Sequence, residues 1–176
     1  MFFVAVYCGA GPRYGKMRRM TEHRRALDDL QATEALGREL AALLRPGDSV
    51  LLEGPLGAGK TALARALLRA VCDDPDLEVP SPSYTLVQSY DSRDFVVSHF
   101  DLWRLADPHA LTELGWDEAR DGVVLVEWPD RLGALAPDDA LTLRLELVAD
   151  SPQRRLATLG GWDPVRTARL AREGRA

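Results

Sequence analysis

The chain has 176 residues, of which 46% are hydrophobic and 28% are charged; these values are typical of one globular domain and argue against a fibrous or largely disordered protein. Lys and Arg total 22 against 27 Asp and Glu, a formal net charge of −5, so the protein does not have the bulk positive charge that grips nucleic acid. Two cysteines are too few for a disulfide framework. We expect a cytoplasmic protein, because we find neither a signal peptide pattern nor a membrane-spanning apolar run.

The charge is distributed unevenly along the chain. Residues 31–150 contain ten basic and twenty-two acidic groups, whereas both ends are basic. Residues 1–25 combine glycines with a basic stretch and show neither helical nor strand periodicity. We therefore expect a disordered N-terminal extension over residues 1–25, with an arm for an acidic partner as the functional alternative.

The first regular elements surround a glycine-rich segment. Apolar spacing predicts a helix from Asp28 to Leu44, and Pro46-Gly47 follow it. A short strand over Ser49–Glu53 then leads through the glycine-rich segment into a helix over Lys60–Cys72. A strand, a loop and a helix in this order indicate a parallel α/β core.

The second half of the chain supplies further strands. The pattern predicts an antiparallel pair over Tyr84–Tyr90 and Phe95–Phe100, a short helix from Asp107 to Leu114, strands over Val123–Val126, Leu141–Leu147 and Arg155–Leu159, and a surface helix over Asp163–Arg172. We predict one α/β domain over residues 26–160, with a mainly parallel central sheet, an antiparallel strand pair and flanking helices. Residues 161–176 would form a C-terminal helix or tail.

One motif carries chemistry. Gly54-Pro-Leu-Gly-Ala-Gly-Lys-Thr61 matches the phosphate-binding pattern G-x-x-x-x-G-K-[ST] between a strand and a helix, and chance would produce it roughly once in a thousand such chains. The fold is therefore predicted to be a single-domain P-loop NTPase. Lys60 would reach the β- and γ-phosphates and Thr61 would bind Mg²⁺. The expected nucleotide contacts are Leu56, Gly57, Ala58, Gly59, Lys60, Thr61 and Ala62.

Two carboxylates follow predicted strands and could complete a Mg²⁺ site: Asp101 and Glu127. His99 shares a strand face with Asp101, and either a packed core histidine or a residue near the site fits that position. Trp128 should point away from Glu127 along the strand, and it could belong to the core or to the rim of the site. The chain has no [NT]-K-x-D motif, so adenine is favoured over guanine.

These residues together resemble the TsaE (YjeE) family of bacterial ATPases. The resemblance spans about residues 28–160 and rests on an ordered set of segments: Thr33-Glu34-Ala-Leu-Gly37, Leu56-Gly-Ala-Gly-Lys-Thr61, Ser81-Pro-Ser-Tyr-Thr-Leu-Val87, His99-Phe-Asp-Leu-Trp-Arg-Leu105, Leu114-Gly115 and Glu127-Trp128. The chain departs from the family pattern at Pro55, Ser83 and Trp103, where Asp, Thr and Tyr are usual.

The resemblance implies an ATP-binding, Mg²⁺-dependent protein with weak ATPase activity in the formation of threonylcarbamoyladenosine in tRNA. It implies that TsaD and TsaB are partners and that ATP hydrolysis supports the turnover of their complex. Because residues 31–150 are strongly acidic, we expect the chain to bind tRNA poorly by itself and to reach tRNA only through that complex. Asp101 and Glu127 would then act at Mg²⁺ and the attacking water. Thr33 would lie near the base or sugar of the nucleotide, and residues 81–87 would form a nucleotide-sensing switch segment.

Two other classes of function use the same phosphate loop. A small-molecule kinase would need an arginine-bearing lid, for which Arg65, Arg69 and Arg104 are the candidates. Arg65 and Arg69 are more simply interpreted as the solvated face of one helix. A nucleotide-gated binding module without turnover is the other alternative, and two carboxylates at strand ends argue mildly against it.

Overall fold

The computed structural model describes residues 22–171. Its strands are β1 (His23–Leu27), β2 (Ser49–Glu53), β3 (Val87–Asp91), β4 (Val96–Asp101), β5 (Val123–Glu127), β6 (Leu141–Val148) and β7 (Ser151–Gly160). Its α-helices are α1 (Leu30–Ala41), α2 (Lys60–Val71), α3 (Ala110–Glu113), α4 (Trp116–Ala119) and α5 (Pro164–Ala171), and a 3₁₀ helix covers Pro129–Leu135. None of the helices in this described part has both the length and the apolar character to span a membrane.

The strands form one sheet of seven in the order β1-β7-β6-β2-β5-β4-β3. The four central strands β6, β2, β5 and β4 are parallel, whereas β3 pairs antiparallel with β4, and β7 pairs antiparallel with β6 and with β1. This confirms the predicted α/β class with a parallel centre and an antiparallel pair. The sheet also has a second antiparallel region, formed by β7 and β1.

The sheet carries an apolar cluster on each face. All of β5 is buried, and in β2 every residue except Glu53 is buried, which is the pattern expected of central strands covered on both sides. Helices α1 and α2 pack over one cluster, and α4 covers the other. Parallel strands with helices on both faces expose the carboxyl ends of those strands at one edge, where ligand sites of such folds lie.

Helices α1 and α2 are in close contact. The Asp29 side chain caps α1 by accepting a hydrogen bond of 2.8 Å from the Ala32 N–H. Gly37 faces α2 so closely that a Cβ there would lie 2.7 Å from the Leu63 carbonyl oxygen, so a larger residue would push the helices apart. This contact fixes the position of α2, which begins at the glycine-rich loop.

Strand β1 corrects the prediction of a disordered segment over residues 1–25. His23–Arg25 belong to β1, where Arg25 and Leu27 face inward, while residues 1–21 lie outside the described part of the chain. Arg25 is 6% exposed, and its burial is tolerated because the Glu39 carboxylate and the Leu170 carbonyl oxygen accept hydrogen bonds from its guanidinium. A charged residue on the inward face hides the alternation that marks a strand.

The domain also extends beyond residue 160, which corrects the predicted boundary between the domain and a C-terminal helix or tail. Helix α5 packs on β1 and β7, and its Leu170 is completely buried in the main apolar cluster. The Arg166 guanidinium stacks 3.4 Å from the centre of the Trp162 ring and pairs with Asp48. Residues 172–176 lie outside the described part of the chain.

We expect Leu170→Ala to lower the free energy of unfolding by about 2–4 kcal/mol, because it leaves a cavity in a fully buried position. Val165→Ala on the same helix is the matched control, since Val165 is 71% exposed and its truncation should cost less than about 0.5 kcal/mol. Urea unfolding of both variants gives the two values. Equal values would mean that α5 is not part of the cooperative domain.

Candidate functional site

A cleft opens at the carboxyl ends of β2, β4 and β5. It has a volume of about 410 Å³, and it lies where the loop between β2 and α2 meets the ends of the neighbouring strands. Its lining consists of Leu56, Gly57, Gly59, Lys60, Thr61, Ala62, Ser81, Ser83, Tyr84, Asp101, Trp103, Arg104, Glu127 and Trp128. The tertiary structure thus brings the phosphate loop, both candidate carboxylates and residues from the predicted switch segment into one cleft.

The amino end of α2 presents free main-chain donors. Within residues 22–171, four consecutive N–H groups donate no hydrogen bond, and the first that does is Leu63 N–H, which donates to the Gly59 carbonyl oxygen at 3.0 Å. The four belong to Gly59, Lys60, Thr61 and Ala62. Unpaired N–H groups and the positive end of the helix dipole together favour an anion. A phosphate group fits this end of α2.

Lys60 is held beside the loop rather than in solvent. Its ammonium donates hydrogen bonds to the carbonyl oxygens of Gly54 at 2.8 Å and Pro55 at 3.0 Å, and it lies 3.9 Å from the centre of the Trp128 ring. Burial lowers the pKa of Lys60, and the negative charges of Glu127 and Asp101 act against that shift. A buried ammonium in this position is suited to pair with phosphate charge that enters the cleft.

The two candidate carboxylates are neighbours in the sheet. Asp101 and Glu127 are directly opposite each other in the β4–β5 register, and they are 4% and 2% exposed. Glu127 Oε2 accepts a hydrogen bond of 3.0 Å from the Thr61 hydroxyl, and Asp101 Oδ2 accepts one of 2.8 Å from the Ser81 hydroxyl. The parallel register therefore joins the phosphate loop, β4 and β5 at one point.

The chemistry of these groups fits Mg²⁺. Carboxylate and hydroxyl oxygens are hard ligands, and Mg²⁺ is usually held by one or two carboxylates together with substrate phosphates. Buried carboxylates are normally paired with positive charge or coordinate a metal. Thr61, Asp101 and Glu127 are the residues that could hold such an ion here.

His99 lies directly behind this cluster. It is fully buried, and its Nε2 is 3.1 Å from Glu127 Oε1, while its Nδ1 has no hydrogen-bond partner within residues 22–171. Both interpretations of this residue therefore hold in part: His99 is a packed core side chain, and it also contacts a candidate site carboxylate.

Trp128 does not point away from Glu127, as strand alternation predicts. Its backbone has a φ of +60°, in the left-handed region, so the strand pattern ends at Glu127 and both side chains line the cleft. The Trp128 ring lies 4.5 Å from the Trp103 ring, and the Arg104 guanidinium lies 4.5 Å from the centre of the Tyr84 ring. An aromatic wall thus borders the cleft.

The proline-rich loop before β3 comprises residues 73–83, with Pro75, Pro80 and Pro82, and it is hydrogen-bonded to α2. Arg65 Nε donates to the Val79 carbonyl oxygen at 3.2 Å, and Arg69 Nε donates to the Leu77 carbonyl oxygen at 3.0 Å. These arginines are not the solvated face that the sequence indicates, because the loop folds back over their side of the helix. They anchor the segment that continues to Ser81, whose hydroxyl bonds to Asp101.

Two of the expected nucleotide contacts lie outside the cleft lining. Ala58 is completely buried, so only its backbone could serve a ligand. Thr33 is 3% exposed, and its hydroxyl donates to the Asp29 carbonyl oxygen at 3.2 Å, while its methyl group faces Gly59 from behind the loop. A contact between Thr33 and the base or sugar of a nucleotide stays a prediction.

Arg155 contacts the phosphate loop, and sequence reasoning missed it. Its guanidinium donates hydrogen bonds to the carbonyl oxygens of Ala58 and Gly57, at 3.0 Å and 3.3 Å. The only sequence signal was an arginine in a strand near the end of the domain, far from the loop along the chain. Spacing alone could not have brought the two together.

Comparison with known proteins gives a consistent result. The family model described as "Threonylcarbamoyl adenosine biosynthesis protein TsaE" matches residues 27–156. A protein of Rickettsia felis named "tRNA threonylcarbamoyladenosine biosynthesis protein TsaE" is 34% identical over 134 residues, which cover 76% of this chain and 77% of that protein. The protein of the same name from Mycobacterium leprae is 37% identical over 71% of this chain and 83% of its own length.

A solved structure also matches. The crystal structure of YdiB from Bacillus subtilis has a TM-score of 0.69 and 25% sequence identity, and the match covers 89% of this chain and 94% of that one. The match includes most of the described residues.

Proposed function

The chain belongs to the TsaE family of threonylcarbamoyl adenosine biosynthesis proteins, which act in forming this modified nucleoside in tRNA, and on that basis we propose that it is a Mg²⁺-dependent ATPase. In this proposal it binds ATP at the phosphate loop and hydrolyses it slowly to ADP and phosphate. It is not itself the transferase that modifies tRNA.

One observation carries the proposal: the Thr61 hydroxyl of the phosphate loop donates to Glu127, next to Asp101 in the sheet register. A loop that only bound an anion would have no need of two buried carboxylates beside it, because they repel anions. Carboxylates at this position are useful when a divalent cation accompanies the phosphates. The geometry thus supports binding of a nucleoside triphosphate together with a divalent metal ion.

Each side chain has a distinct role in this proposal. The free N–H groups at the start of α2 bind phosphate oxygens, and the Lys60 ammonium also offsets the negative charge that develops on these oxygens during hydrolysis. Mg²⁺, held by Thr61 and by Asp101 or Glu127, would add positive charge beside those oxygens. Glu127 orients the attacking water and accepts its proton, and the His99 hydrogen bond keeps the carboxylate directed into the cleft.

We propose TsaD and TsaB as the partners, with ATP hydrolysis supporting repeated turnover of their complex. The mouth of the cleft exposes large apolar side chains: Leu56 is 79% exposed, Tyr84 83% and Trp103 47%. Exposed apolar groups that cluster around a cleft favour a protein partner at that surface. A partner there would also limit the access of water to the nucleotide.

We propose that tRNA is reached only through these partners. Residues 31–150 contain ten basic and twenty-two acidic groups, so their net negative charge repels a polyanion. Contacts to phosphate groups supply most of the non-specific affinity of a protein for nucleic acid. Several arginines of the basic ends are already engaged within the fold: Arg25 with Glu39, Arg154 with Asp28 and Arg166 with Asp48.

Lys60→Ala should weaken ATP binding by about tenfold to a hundredfold, because the charged hydrogen bonds to the phosphates are lost. Titration calorimetry with ATP in the presence of Mg²⁺ measures the change. The melting temperature of the nucleotide-free protein serves as the control for folding. An unchanged Kd in a folded variant would contradict the role of Lys60.

Glu127→Gln should lower the rate of ATP hydrolysis by about a hundredfold or more, because the amide cannot accept the proton of the attacking water. The Kd for ATP should change by a smaller factor than the hydrolysis rate, because the free N–H groups and Lys60 still bind the phosphates. The matched control is Glu118→Gln, an exposed residue of α4 that does not line the cleft. Equal hydrolysis rates in wild type and Glu127→Gln would remove Glu127 from the mechanism.

Adding purified TsaD and TsaB should raise ATP turnover by the wild-type protein, because a partner that covers the cleft excludes bulk water and completes the site. Phosphate release at saturating ATP gives the rate with and without the partners. Glu127→Gln is the control, since stimulation that depends on this site must be lost with it. An unchanged wild-type rate would contradict the proposed partnership.

A further inference from the structure

The hairpin of β6 and β7 forms the wall behind the phosphate loop. A Cβ on Gly54 would lie 2.3 Å from the Leu145 carbonyl oxygen, so the loop leaves β2 in direct contact with the backbone of β6. The Leu145 side chain also packs at Gly59, and the Arg144 Nε donates to Glu53 at 2.9 Å, just before the loop begins. The hairpin therefore contacts the loop at its start and near its end.

Arg155 of β7 makes the polar contact between the hairpin and the middle of the loop. Its Nε donates to the Ala58 carbonyl oxygen at 3.0 Å and its Nη2 donates to the Gly57 carbonyl oxygen at 3.3 Å. The Nη1 donates to the carbonyl oxygens of Pro152 and Arg154, at 2.7 Å and 2.8 Å. Because the guanidinium is planar and held by carbonyls on both sides, its position relative to the loop is fixed.

This contact determines the direction of one main-chain donor. A trans peptide is planar, and its C=O and N–H point in opposite directions. The Ala58 C=O points to Arg155, so the N–H of the same peptide, that of Gly59, points away from the hairpin. The Gly59 N–H donates no hydrogen bond within residues 22–171, whereas the Ala58 N–H donates to the Pro55 carbonyl oxygen at 3.2 Å.

We propose that Arg155 is a positioning residue of the nucleotide site: by holding the Ala58 carbonyl, it directs the Gly59 N–H into the cleft, where it binds a phosphate oxygen of the nucleotide. The inference rests on the proposed ATP binding. Arg155 itself contacts the rear of the loop and not the nucleotide. An N–H held in its binding direction before the ligand arrives avoids the entropic cost of ordering the loop on binding.

Arg155→Met tests the role, because it keeps the apolar stem and removes the guanidinium. We expect the Kd for ADP and the KM for ATP to rise by about tenfold, while kcat stays within about twofold, since a phosphate contact made equally in the ground state and the transition state affects only binding. In the nucleotide-free protein, the Gly59 amide resonance should shift in the ¹⁵N spectrum. Arg154→Met is the matched control: this neighbouring arginine pairs with the exposed Asp28 instead and should leave all these values unchanged.

Arg155→Lys is the second variant, for the case in which Arg155→Met does not fold. A single ammonium cannot hold both carbonyls as the planar fork does, so binding should be weakened by an intermediate factor. An unchanged Kd for ADP in a folded variant, an unchanged Gly59 resonance, or a fall in kcat at constant KM would overturn the inference. Failure of the proposed function is a different result, namely that the wild-type protein itself does not bind ADP; the Gly59 resonance then still tests the positioning of the loop.

Discussion

Two carboxylates buried side by side are unfavourable unless positive charge or hydrogen-bond donors compensate them, and this constraint organises the protein. Asp101 and Glu127 are opposite each other in the β4–β5 register. Their compensation comes from different parts of the chain: a threonine of the phosphate loop, a serine of the proline-rich loop, a histidine of β4 and the nearby Lys60 ammonium. The site exists only when all of these segments are folded against one another.

The same arrangement connects the two loops that border the cleft. Thr61 and Ser81 each donate to a carboxylate, so a cation that competes for these oxygens acts on the phosphate loop and the proline-rich loop together. Arg65 and Arg69 connect the proline-rich loop to α2, which begins at the phosphate loop. The carboxylates, the phosphate loop and the proline-rich loop that leads to the exposed Tyr84 are therefore connected by hydrogen bonds.

One side of the cleft is supported by the sheet and the helices, whereas exposed side chains form the other side. The β6–β7 hairpin supports the phosphate loop through Leu145 and Arg155, and helices α1 and α2 are locked together through Gly37. The opposite side consists of Trp103, Arg104 and Tyr84, which are all exposed. Phosphate binding requires donors held in fixed positions, whereas recognition of a partner benefits from accessible side chains. In the proposed function, the two sides of the cleft meet these two requirements separately.

Local patterns in the sequence determined much of this protein. The buried strands β2 and β5, the pair of β3 and β4 and the phosphate loop each depend on neighbouring residues, because hydrophobic periodicity and turn residues act over short distances. The residue types at Lys60, Thr61, Asp101 and Glu127 predicted phosphate and metal chemistry for the same reason. The order of these segments along the chain was enough to recognise the family.

Only the tertiary structure decided the features that join distant segments. Strand β1 was missed because its inward Arg25 is neutralised by Glu39, fourteen positions further along the chain. Trp128 enters the cleft because a left-handed residue ends β5, and no local pattern indicates such a residue. Arg155 reaches the phosphate loop across nearly a hundred residues of sequence. The local sequence predicts that a charged side chain is exposed, whereas the tertiary packing determines which partner allows it to be buried.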